Sequence, residues 1–492
     1  MDSHHKVLII GAGPAGLAAA AELAKAREDF VIAEKNDCVG GLAKTYVIRE
    51  NGLEFRTDNG PHRFFSKNRY LYGFIEGILG EQWIPVNRQT RQFIDGKFFD
   101  YPLNAFQVVR NVGLAKVFEV TAGYAFALLQ YRILKKPVRS FYDYALASFG
   151  RPLAELNILG YTEKIWGIST KDLHPDWARQ RIKGLNVGKL LVDSAKKLIT
   201  GRHGSNVKTL VDTFYYPDRG AGCTYEAIRE KLERDGYEVL LNSFPTAVHH
   251  DGQRVTSVTM DVQGASVTVF PEYLIESVHL TDFVKLLRPE PPAEVLEAAS
   301  RLRYRSQVYL FITLDRERIT GDQWIYFPDP SIPFARISEM KNFSPMMSPP
   351  GKTSLFVEFF CDEGDPIYSM TNDNLFEHAM PHFERLGFFQ RSEVRNHYLF
   401  RGGKDYPIYD LRYPENLKPV QAYLDRFENL YYIGRPGRFK YTNQDHSLEM
   451  GILAARSIID HRWYNFEEVG AETEYFEKGN LSLQPSTESS SS

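Results

Sequence analysis

The feature that most constrains this chain is a glycine motif between an apolar run and an alanine-rich stretch near its start. Residues 7–10 read VLII, which predicts a buried strand. Gly11, Gly13 and Gly16 follow with the spacing G-x-G-x-x-G, and the next residues, LAAAAELAKA, predict a helix. Such glycines allow a tight turn, close approach of a pyrophosphate and close helix–strand packing, and the helix N-terminus offers free N–H groups to phosphate. The motif therefore predicts a dinucleotide-binding βαβ unit.

The residues after this unit favour FAD as the dinucleotide. The second predicted strand, FVIAE, ends on Glu34, whose carboxylate we expect to accept hydrogen bonds from a ribose hydroxyl. Lys35 follows, and then a second glycine pair, Gly40 and Gly41, with Leu42. This pair resembles the N-terminal motif of glutathione-reductase-like flavoproteins, in which it lies against the FAD pyrophosphate. The alternative is a unit that binds NAD or no cofactor.

Charge and hydropathy restrict the partners of the chain. The formal net charge of −3 over 492 residues predicts no general attraction to nucleic acid or to anionic membranes. The most apolar long window, residues 112–131, contains Lys116 and Glu119. Because a spanning helix needs about 20 predominantly apolar residues, this window predicts a buried or amphipathic helix and no membrane span.

The cysteines indicate the cellular compartment. Cys38, Cys223 and Cys361 lie far apart and form no C-x-x-C pair. This spacing predicts no disulfide framework and no metal site, and it favours a reducing compartment. The first strand begins too early for a signal peptide to precede it in this sequence. We therefore expect a cytoplasmic protein.

Changes in hydrophobic period along the chain predict several domains. Strand patterns predominate near the start, where turns at Asn51-Gly52 and Asp95-Gly96 predict two hairpins. Helical spacing follows from about residue 104, and strand patterns then return. The predicted fold class is α/β, a discontinuous Rossmann-like FAD-binding domain of the glutathione-reductase type with inserted helical and β-sheet substrate domains. The expected boundaries are FAD-binding parts at 1–103, 211–290 and 401–465, a helical substrate domain at 104–210, a substrate β-sheet domain at 291–400, and a disordered tail at 466–492.

Three further stretches carry residues suited to ligand binding. Residues 160–167, GYTEKIWG, contain Tyr161 and Trp166, which could stack on a base or cover a sugar, or could simply pack in the core. Arg336, in PFARISEMKNF, and Arg435, in GRPGRFKYTNQDHS, have the planar fork that binds phosphate, and a surface ion pair is the alternative.

The third of these stretches continues into a predicted helix. Asn443 or Asp445 could cap this helix through its side chain. The alternative is that the backbone amides of the helix N-terminus face a flavin ring, which would make Asn443 to Ser447 part of a site.

Together with the glycine motif, these stretches resemble the UDP-galactopyranose mutases. That family carries similar segments in the same order, which here read GYTEKIWG, RISEMKNF and GRPGRFKY. Gly60-Pro61-His62 is similar to the family's glycine–X–histidine loop beside the isoalloxazine. Residues 215–228, with Tyr216, are similar to its tyrosine-containing entry into the flavin domain.

The resemblance implies an activity as well as a fold. In that family FAD acts in its reduced form, and its N5 nitrogen is the nucleophile that attacks the anomeric carbon of a nucleotide-sugar. The implied function is pyranose/furanose isomerisation, with NAD(P)H as an external reductant. The alternatives are an FAD-dependent oxidase or dehydrogenase of the protoporphyrinogen oxidase or amine oxidase type, and a flavin-binding protein without catalysis. The sugar, the base and the oligomeric state stay open at this point.

The resemblance also implies roles for individual residues. The catalytic group would be His62, Arg336 and Arg435. The substrate would contact Tyr161, Trp166, Tyr216, Arg336, Arg435, Tyr441 and Asn443. FAD would contact Gly11, Gly13, Gly16, Glu34, Lys35, Gly41, Leu42, Gly60, His62, Gly434, Asp445, His446 and Ser447.

Overall fold

A computed structural model describes residues 2–66, 68–101, 105–181 and 213–470. The strands are β1 Asp2–Ile10, β2 Phe30–Ala33, β3 Thr45–Glu50, β4 Leu53–Asp58, β5 Trp83–Asn87, β6 Thr90–Ile94, β7 Lys97–Asp100, β8 Thr213–Pro217, β9 Glu238–Leu240, β10 Ser243–His250, β11 Val255–Val262, β12 Ala265–Glu276, β13 Leu287–Arg288, β14 Tyr304–Leu314, β15 Trp324–Tyr326, β16 Arg336–Glu339, β17 Thr353–Cys361, β18 Val394–Arg401, β19 Tyr406–Pro407 and β20 Leu430–Tyr432. The helices are α1 Pro14–Lys25, α2 Arg69–Leu79, α3 Ala105–Leu128, α4 Phe141–Phe149, α5 Arg151–Leu153, α6 Leu159–Trp166, α7 Asp176–Arg181, α8 Gly222–Arg234, α9 Leu280–Leu286, α10 Ala293–Arg301, α11 Asn372–Arg385, α12 Tyr413–Leu424, α13 Gly434–Gly437 and α14 Gln444–Ile459.

The first sheet is built around β1. Its order is β13-β10-β11-β12-β1-β2-β9, and β20 pairs with β12. β1 is parallel to β2 on one side and to β12 on the other. Residues 7–10 are buried because both faces of this part of the sheet are covered, which explains the continuous apolar run. The predicted βαβ unit is confirmed.

The second sheet has the order β18-β14-β17-β16-β15-β6-β7, and β19 pairs with β14. One of its faces packs against α11, whose buried residues join the apolar side chains of β14 and β17 in one core. The hairpins predicted at Asn51-Gly52 and Asp95-Gly96 are β3–β4 and β6–β7, and Asn51 and Asp95 have φ of 48° and 49°. Asparagine and aspartate tolerate this left-handed conformation better than most residues.

The strand pairing differs from the expected domain boundaries in two places. Residues 90–100 were assigned to the first FAD-binding part, but β6 pairs with β15 and so extends the second sheet. Residues 293–301 were assigned to the substrate β-sheet domain, but α10 packs into the core of the first sheet through Val295 and Ala298. Both differences arise from long-range packing, which hydrophobic period does not reveal.

The helical insertion begins with α3, and the apolar window predicted to form a buried or amphipathic helix lies largely within it. Phe118 is 76% exposed and Phe126 is 58% exposed. No helix in the described part of the chain combines the length and the apolar character needed to span a bilayer. The last part of this predicted helical domain, residues 182–210, lies outside the described residues.

The C-terminal region is ordered further than predicted. Phe466 and Val469 are buried in the core around α1 and α14, so the segment up to residue 470 is not a disordered tail. These two apolar side chains explain the difference, since they find a place in a core formed by distant elements. Residues 471–492 of the predicted tail lie outside the described residues.

A buried carboxyl, Asp58, joins three segments that lie far apart in the sequence. Its Oδ1 accepts hydrogen bonds from Thr45 Oγ1 at 2.6 Å and from the Ala221 N–H at 3.0 Å, and its Oδ2 accepts from the Tyr216 hydroxyl at 2.6 Å. Burial raises the pKa of Asp58 to about 7, although these bonds act in the opposite direction. The carboxyl is therefore protonated below about pH 7 and ionised above it.

This raised pKa predicts how stability changes with pH. The stabilisation from protonated Asp58 is complete below its unfolded pKa of about 4 and is lost as pH rises through about 7. We expect the melting temperature to fall between about pH 4 and about pH 7, with Asp58 responsible for up to about 4 kcal/mol of the free energy of unfolding. Asp58→Asn should flatten this dependence, whereas Asp37→Asn at an exposed site should not. Equal pH slopes for wild type and Asp58→Asn would contradict the prediction.

Candidate active site

The predicted pyrophosphate site is formed by two glycine turns that face each other. A Cβ on Gly16 would lie 1.9 Å from the Gly11 carbonyl oxygen, so this glycine is required by the packing of α1 on β1. Gly13 differs, because a Cβ there would meet only the Cα of Gly41, at 3.9 Å. A Cβ on Gly41 would in turn lie 3.3 Å from the Gly13 Cα. The two turns thus pack backbone against backbone, with no side chain at either glycine, at the place where a pyrophosphate is predicted.

Glu34 supports the first of these turns. Its Oε2 accepts a hydrogen bond from the Ala12 N–H at 2.8 Å, and its Oε1 accepts from Asn36 through both backbone and side chain. The Glu34 side chain is buried, whereas Lys35 beside it is exposed and Leu42 is half-buried. A ribose contact at Glu34 stays a prediction, and the carboxylate has a second role that the sequence did not reveal, which is to hold the turn.

The structure brings the three predicted catalytic residues together. Gly60, with φ of 110°, passes so close to Arg336 that its Cβ would lie 3.8 Å from Nη2. Burial lowers the pKa of His62 to about 3, with further contributions from the charges of Arg435 and Arg336. His62 is therefore neutral at physiological pH. Its buried Nδ1 has no hydrogen-bond partner within the part of the chain that the structure describes.

Arg336 is held by a buried acid that the sequence reasoning missed. Its Nε and Nη2 donate to the two carboxylate oxygens of Glu358 on β17, and Glu358 is 1% exposed. One edge of the Arg336 guanidinium is therefore committed to an ion pair, which is buried and not at the surface as the alternative interpretation had it. A single glutamate within the apolar strand TSLFVEFF was the available signal, because a buried carboxylate requires a cationic partner.

Arg435 is bound differently, by backbone and aromatic rings. Its Nε and Nη2 donate to the Thr442 carbonyl at 2.9 and 2.5 Å. The guanidinium lies 4.9 Å from the ring centroids of both Tyr406 and Tyr441. Within the described ranges no carboxylate forms a salt bridge with Arg435, and the nearby Asp405 has its pKa raised to about 7 by burial. The positive charge of Arg435 opposes this rise in the pKa of Asp405, and Arg435 Nη1 also donates to the Asp405 backbone carbonyl.

Helix α6 separates the predicted aromatic pair. Its buried face contains Leu159, Thr162 and Trp166, which recur at helical spacing. Trp166 is 2% exposed and packs edge-on against Trp177 at 4.5 Å. It therefore does not line an open sugar pocket, and the packing interpretation applies. Tyr161 is half-buried on another side of the helix and meets Tyr326 edge-on at 5.7 Å.

Lys164 explains why Tyr161 and Tyr326 meet. Its Nζ donates to three backbone carbonyls, those of Phe327, Asp329 and Phe334, at 2.7, 2.9 and 2.8 Å. These carbonyls belong to the loop between β15 and β16. The three bonds fix this loop against α6, so Tyr326 is held opposite Tyr161. The lysine of GYTEKIWG is a positioning residue, and the sequence reasoning did not single it out.

Tyr216 is also buried in the core. It is 0% exposed, and its hydroxyl is used by Asp58. The predicted substrate contact differs from the structure because Asp58, a distant residue, takes the tyrosine into the core. Tyr441 remains close to the site through its contacts with Arg435 and with Tyr406, whose ring is stacked at 5.6 Å.

The N-terminus of α14 contains the remaining predicted residues. Asn443 is the N-cap residue and forms a capping box with His446, so the capping interpretation applies to Asn443. Ser447 Oγ lies 3.1 Å from Thr442 Oγ1. Asp445 is buried, and its Oδ1 has no hydrogen-bond partner among the residues described. Gln444 Nε2, at the first position of the helix, is also buried without a partner among the described residues, and both atoms remain for a ligand.

Gly434, the first residue of α13, lies against the dinucleotide motif. It has φ of 75°, and a Cβ there would lie 3.2 Å from the Cβ of Ala15 in α1. The start of α13 therefore lies directly beside the start of α1.

In the part of the chain that the structure describes, no group of His, Cys, Asp and Glu could hold a metal ion.

Comparison with known proteins identifies the family. The family model described as flavin containing amine oxidoreductase matches residues 14–459. The chain belongs to this family. It is a flavin enzyme of mutase or oxidoreductase type, and FAD is its cofactor. The facing glycine turns and the unpartnered atoms of His62 and Asp445 fit such a cofactor.

Individual relatives include both mutases and amino-acid oxidases. It is 21% identical to a "Probable UDP-galactopyranose mutase" from Klebsiella pneumoniae over 470 residues, which cover 93% of this chain and 95% of that one. It is 22% identical to dTDP-fucopyranose mutase from Escherichia coli, with 74% and 84% covered. The crystal structure of a reduced UDP-galactopyranose mutase matches with a TM-score of 0.80 at 23% identity, covering 95% of this chain and 96% of that one. The predicted fold class is confirmed.

Proposed function

We propose that this protein is an FAD-dependent nucleotide-sugar mutase that interconverts pyranose and furanose forms of a sugar bound to a nucleoside diphosphate. The observation that carries the proposal is Arg435, a half-buried cation that is bound by carbonyls and aromatic rings and has no salt bridge to a carboxylate among the described residues. Such a charge is favourable when an anionic ligand approaches it. The names of the mutase relatives support the same substrate class.

Arg336 would act together with Arg435 on the diphosphate. Its pair with Glu358 uses Nε and Nη2 and fixes the plane of the guanidinium. Nη1 takes no part in this pair and can donate to a phosphate oxygen. Because Glu358 neutralises much of the charge, Arg336 orients the ligand, and Arg435 supplies most of the electrostatic attraction.

The aromatic residues would hold the nucleotide. Tyr161 and Tyr326 meet edge-on, so each presents part of a ring face to a planar base. Burial keeps the pKa of Tyr161 well above its ordinary value, so its phenol stays protonated and can donate a hydrogen bond. Lys164 maintains this arrangement by fixing the loop behind Tyr326.

Reduced FAD, when bound, would supply a nucleophilic nitrogen. The residues of the site would bind and orient the substrate and hold protons. His62 is neutral, so one ring nitrogen can donate a hydrogen bond while the other can accept one. A neutral imidazole adds no further positive charge near Arg336 and Arg435, so the positive charge available to the diphosphate is that of the arginines alone.

A binding titration tests the proposed substrate class. Purified protein would be titrated with UDP, GDP and dTDP while flavin fluorescence is followed, with and without reductant. We expect saturable binding of at least one of these nucleotides, because the diphosphate contacts do not depend on the sugar. Absence of binding to all of them in both redox states would contradict the proposal.

Substitution of each arginine should weaken this binding. Arg435→Gln removes the charge but keeps N–H groups for the Thr442 carbonyl. In Arg336→Lys the ammonium group lacks the planar fork of a guanidinium, so it cannot bond both Glu358 and a phosphate in the same geometry. We expect each variant to bind the nucleotide about ten- to a hundred-fold less tightly, with unchanged flavin content.

The matched control is Arg391→Lys. Arg391 makes the same two-oxygen pair, with Glu377, on the exposed surface, so its replacement should leave nucleotide affinity unchanged. Unchanged affinity in both Arg435→Gln and Arg336→Lys would show that these arginines do not bind the diphosphate.

A further inference from the structure

An exposed apolar segment lies in the helical insertion and contains none of the residues of the proposed site. It comprises residues 118–139, which include the second half of α3, the π-helical turn Leu129–Ile133 and the loop after it, and we call it the apolar arm. Phe118, Phe126, Ile133 and Leu134 are exposed by 76%, 58%, 68% and 69%. Side chains of this size are seldom left in water next to one another without a binding partner.

The charges of the apolar arm are as unusual as its exposure. Arg132, Lys135, Lys136 and Arg139 are all exposed. Glu119 is the only acidic residue of the arm, which therefore has an excess of three basic residues although the chain as a whole has a net charge of −3. Lys136 also lies 3.7 Å from Asp143, just beyond the arm. The arm is therefore a local basic region that carries its largest apolar side chains at the surface.

Apolar and basic residues alternate in the loop at the end of the arm. Ile133 and Leu134 end the helical part, Lys135 and Lys136 follow directly, and Val138 and Arg139 repeat the alternation. Val138 is also exposed. Apolar side chains that alternate with basic ones can enter the acyl boundary of a bilayer, while the long basic side chains reach back to its headgroups.

We propose that the apolar arm docks on the surface of a bilayer that contains anionic phospholipids. Basic residues near an anionic surface attract it, and the apolar side chains provide the burial that holds the protein there. A second copy of this chain would bring two basic arms together, and this charge repulsion disfavours a symmetric dimer through the arm. The proposal does not depend on the proposed mutase activity.

Vesicle sedimentation tests the proposal with the full, flavin-loaded chain. The protein would be mixed with vesicles of phosphatidylcholine alone or of phosphatidylcholine with phosphatidylglycerol, and the bound fraction measured after centrifugation. We expect binding to the anionic vesicles, weaker binding to the neutral ones, and partial release by salt. Failure to bind the anionic vesicles would overturn the proposal.

Two variants separate the apolar and basic contributions. Ile133→Asp/Leu134→Asp and Arg132→Gln/Lys135→Gln should each reduce binding to anionic vesicles by at least about tenfold. The control is Leu411→Asp, which changes an exposed leucine outside the arm. Equal binding by wild type and Ile133→Asp/Leu134→Asp would overturn the proposal. The proposal would also be overturned if the wild-type protein did not bind vesicles but formed a dimer that Ile133→Asp/Leu134→Asp dissociates. The arm would then bind a second copy of the chain.

Discussion

A Gly13→Val variant is expected to fold but to purify without FAD. Nothing in the protein itself requires glycine at this position, because its φ is −78° and the nearest atom to a Cβ would be 3.9 Å away. The requirement should therefore come from the cofactor, whose pyrophosphate must approach the backbone between Gly13 and Gly41. A valine side chain would occupy this space. We expect the absorbance of bound flavin to disappear while the far-ultraviolet circular dichroism spectrum is retained.

Two glycines provide controls for this experiment. Gly16→Ala should destabilise the fold itself, since its Cβ would lie 1.9 Å from a backbone oxygen. Gly73→Val should affect neither fold nor flavin, because no atom lies within 4 Å of a Cβ at that exposed position. Full flavin occupancy in Gly13→Val would show that the facing glycine turns do not hold the pyrophosphate.

The proposed mutase is expected to be active only after its flavin has been reduced. An isomerisation causes no net electron transfer, so dithionite or NAD(P)H should be needed once and then consumed far below one equivalent per product. The oxidised protein should show a product level indistinguishable from a no-enzyme control. We expect NAD(P)H to serve as the external reductant.

The measurement is an electron count under nitrogen. The protein, oxidised or reduced, would be incubated with UDP-galactose and dTDP-fucose, and isomerised sugar would be compared with reductant used. An oxidase or dehydrogenase, the alternative function within this family, would begin from oxidised flavin and use one equivalent of acceptor per turnover. Stoichiometric use of an acceptor with an oxidised product would therefore overturn the mutase proposal and leave the family assignment unchanged.

The parts of the fold that the sequence predicted correctly are those determined by local pattern. The strand–glycine–helix unit and the two hairpins depend on residues adjacent in the chain, and each was confirmed. The location of β6–β7 depends on its pairing with β15, more than 200 residues later, and the sequence did not reveal it. Hydrophobic period identifies a strand but does not select its neighbour.

The same distinction applies to the site. Tyr161 and Trp166 looked equivalent in the sequence, but the face of α6 to which each belongs decides that only Tyr161 lies beside Tyr326. Tyr216 was lost to the core because its partner, Asp58, is distant. Glu358 was missed because the sequence does not show which cation pairs with a single acid in an apolar strand. The partner, Arg336, lies on the neighbouring strand.

The position of β1 at the middle of its sheet has a consequence for biosynthesis. Its partner on one side, β2, is made almost at once, but its partner on the other side, β12, is completed only at Glu276, and β20 follows at Leu430. During translation the apolar edge of β1 therefore waits for more than half of the chain to leave the ribosome. Such high contact order slows folding and exposes the nascent strand to aggregation. We expect chains truncated before β12 to depend on chaperones, however complete their glycine motif is.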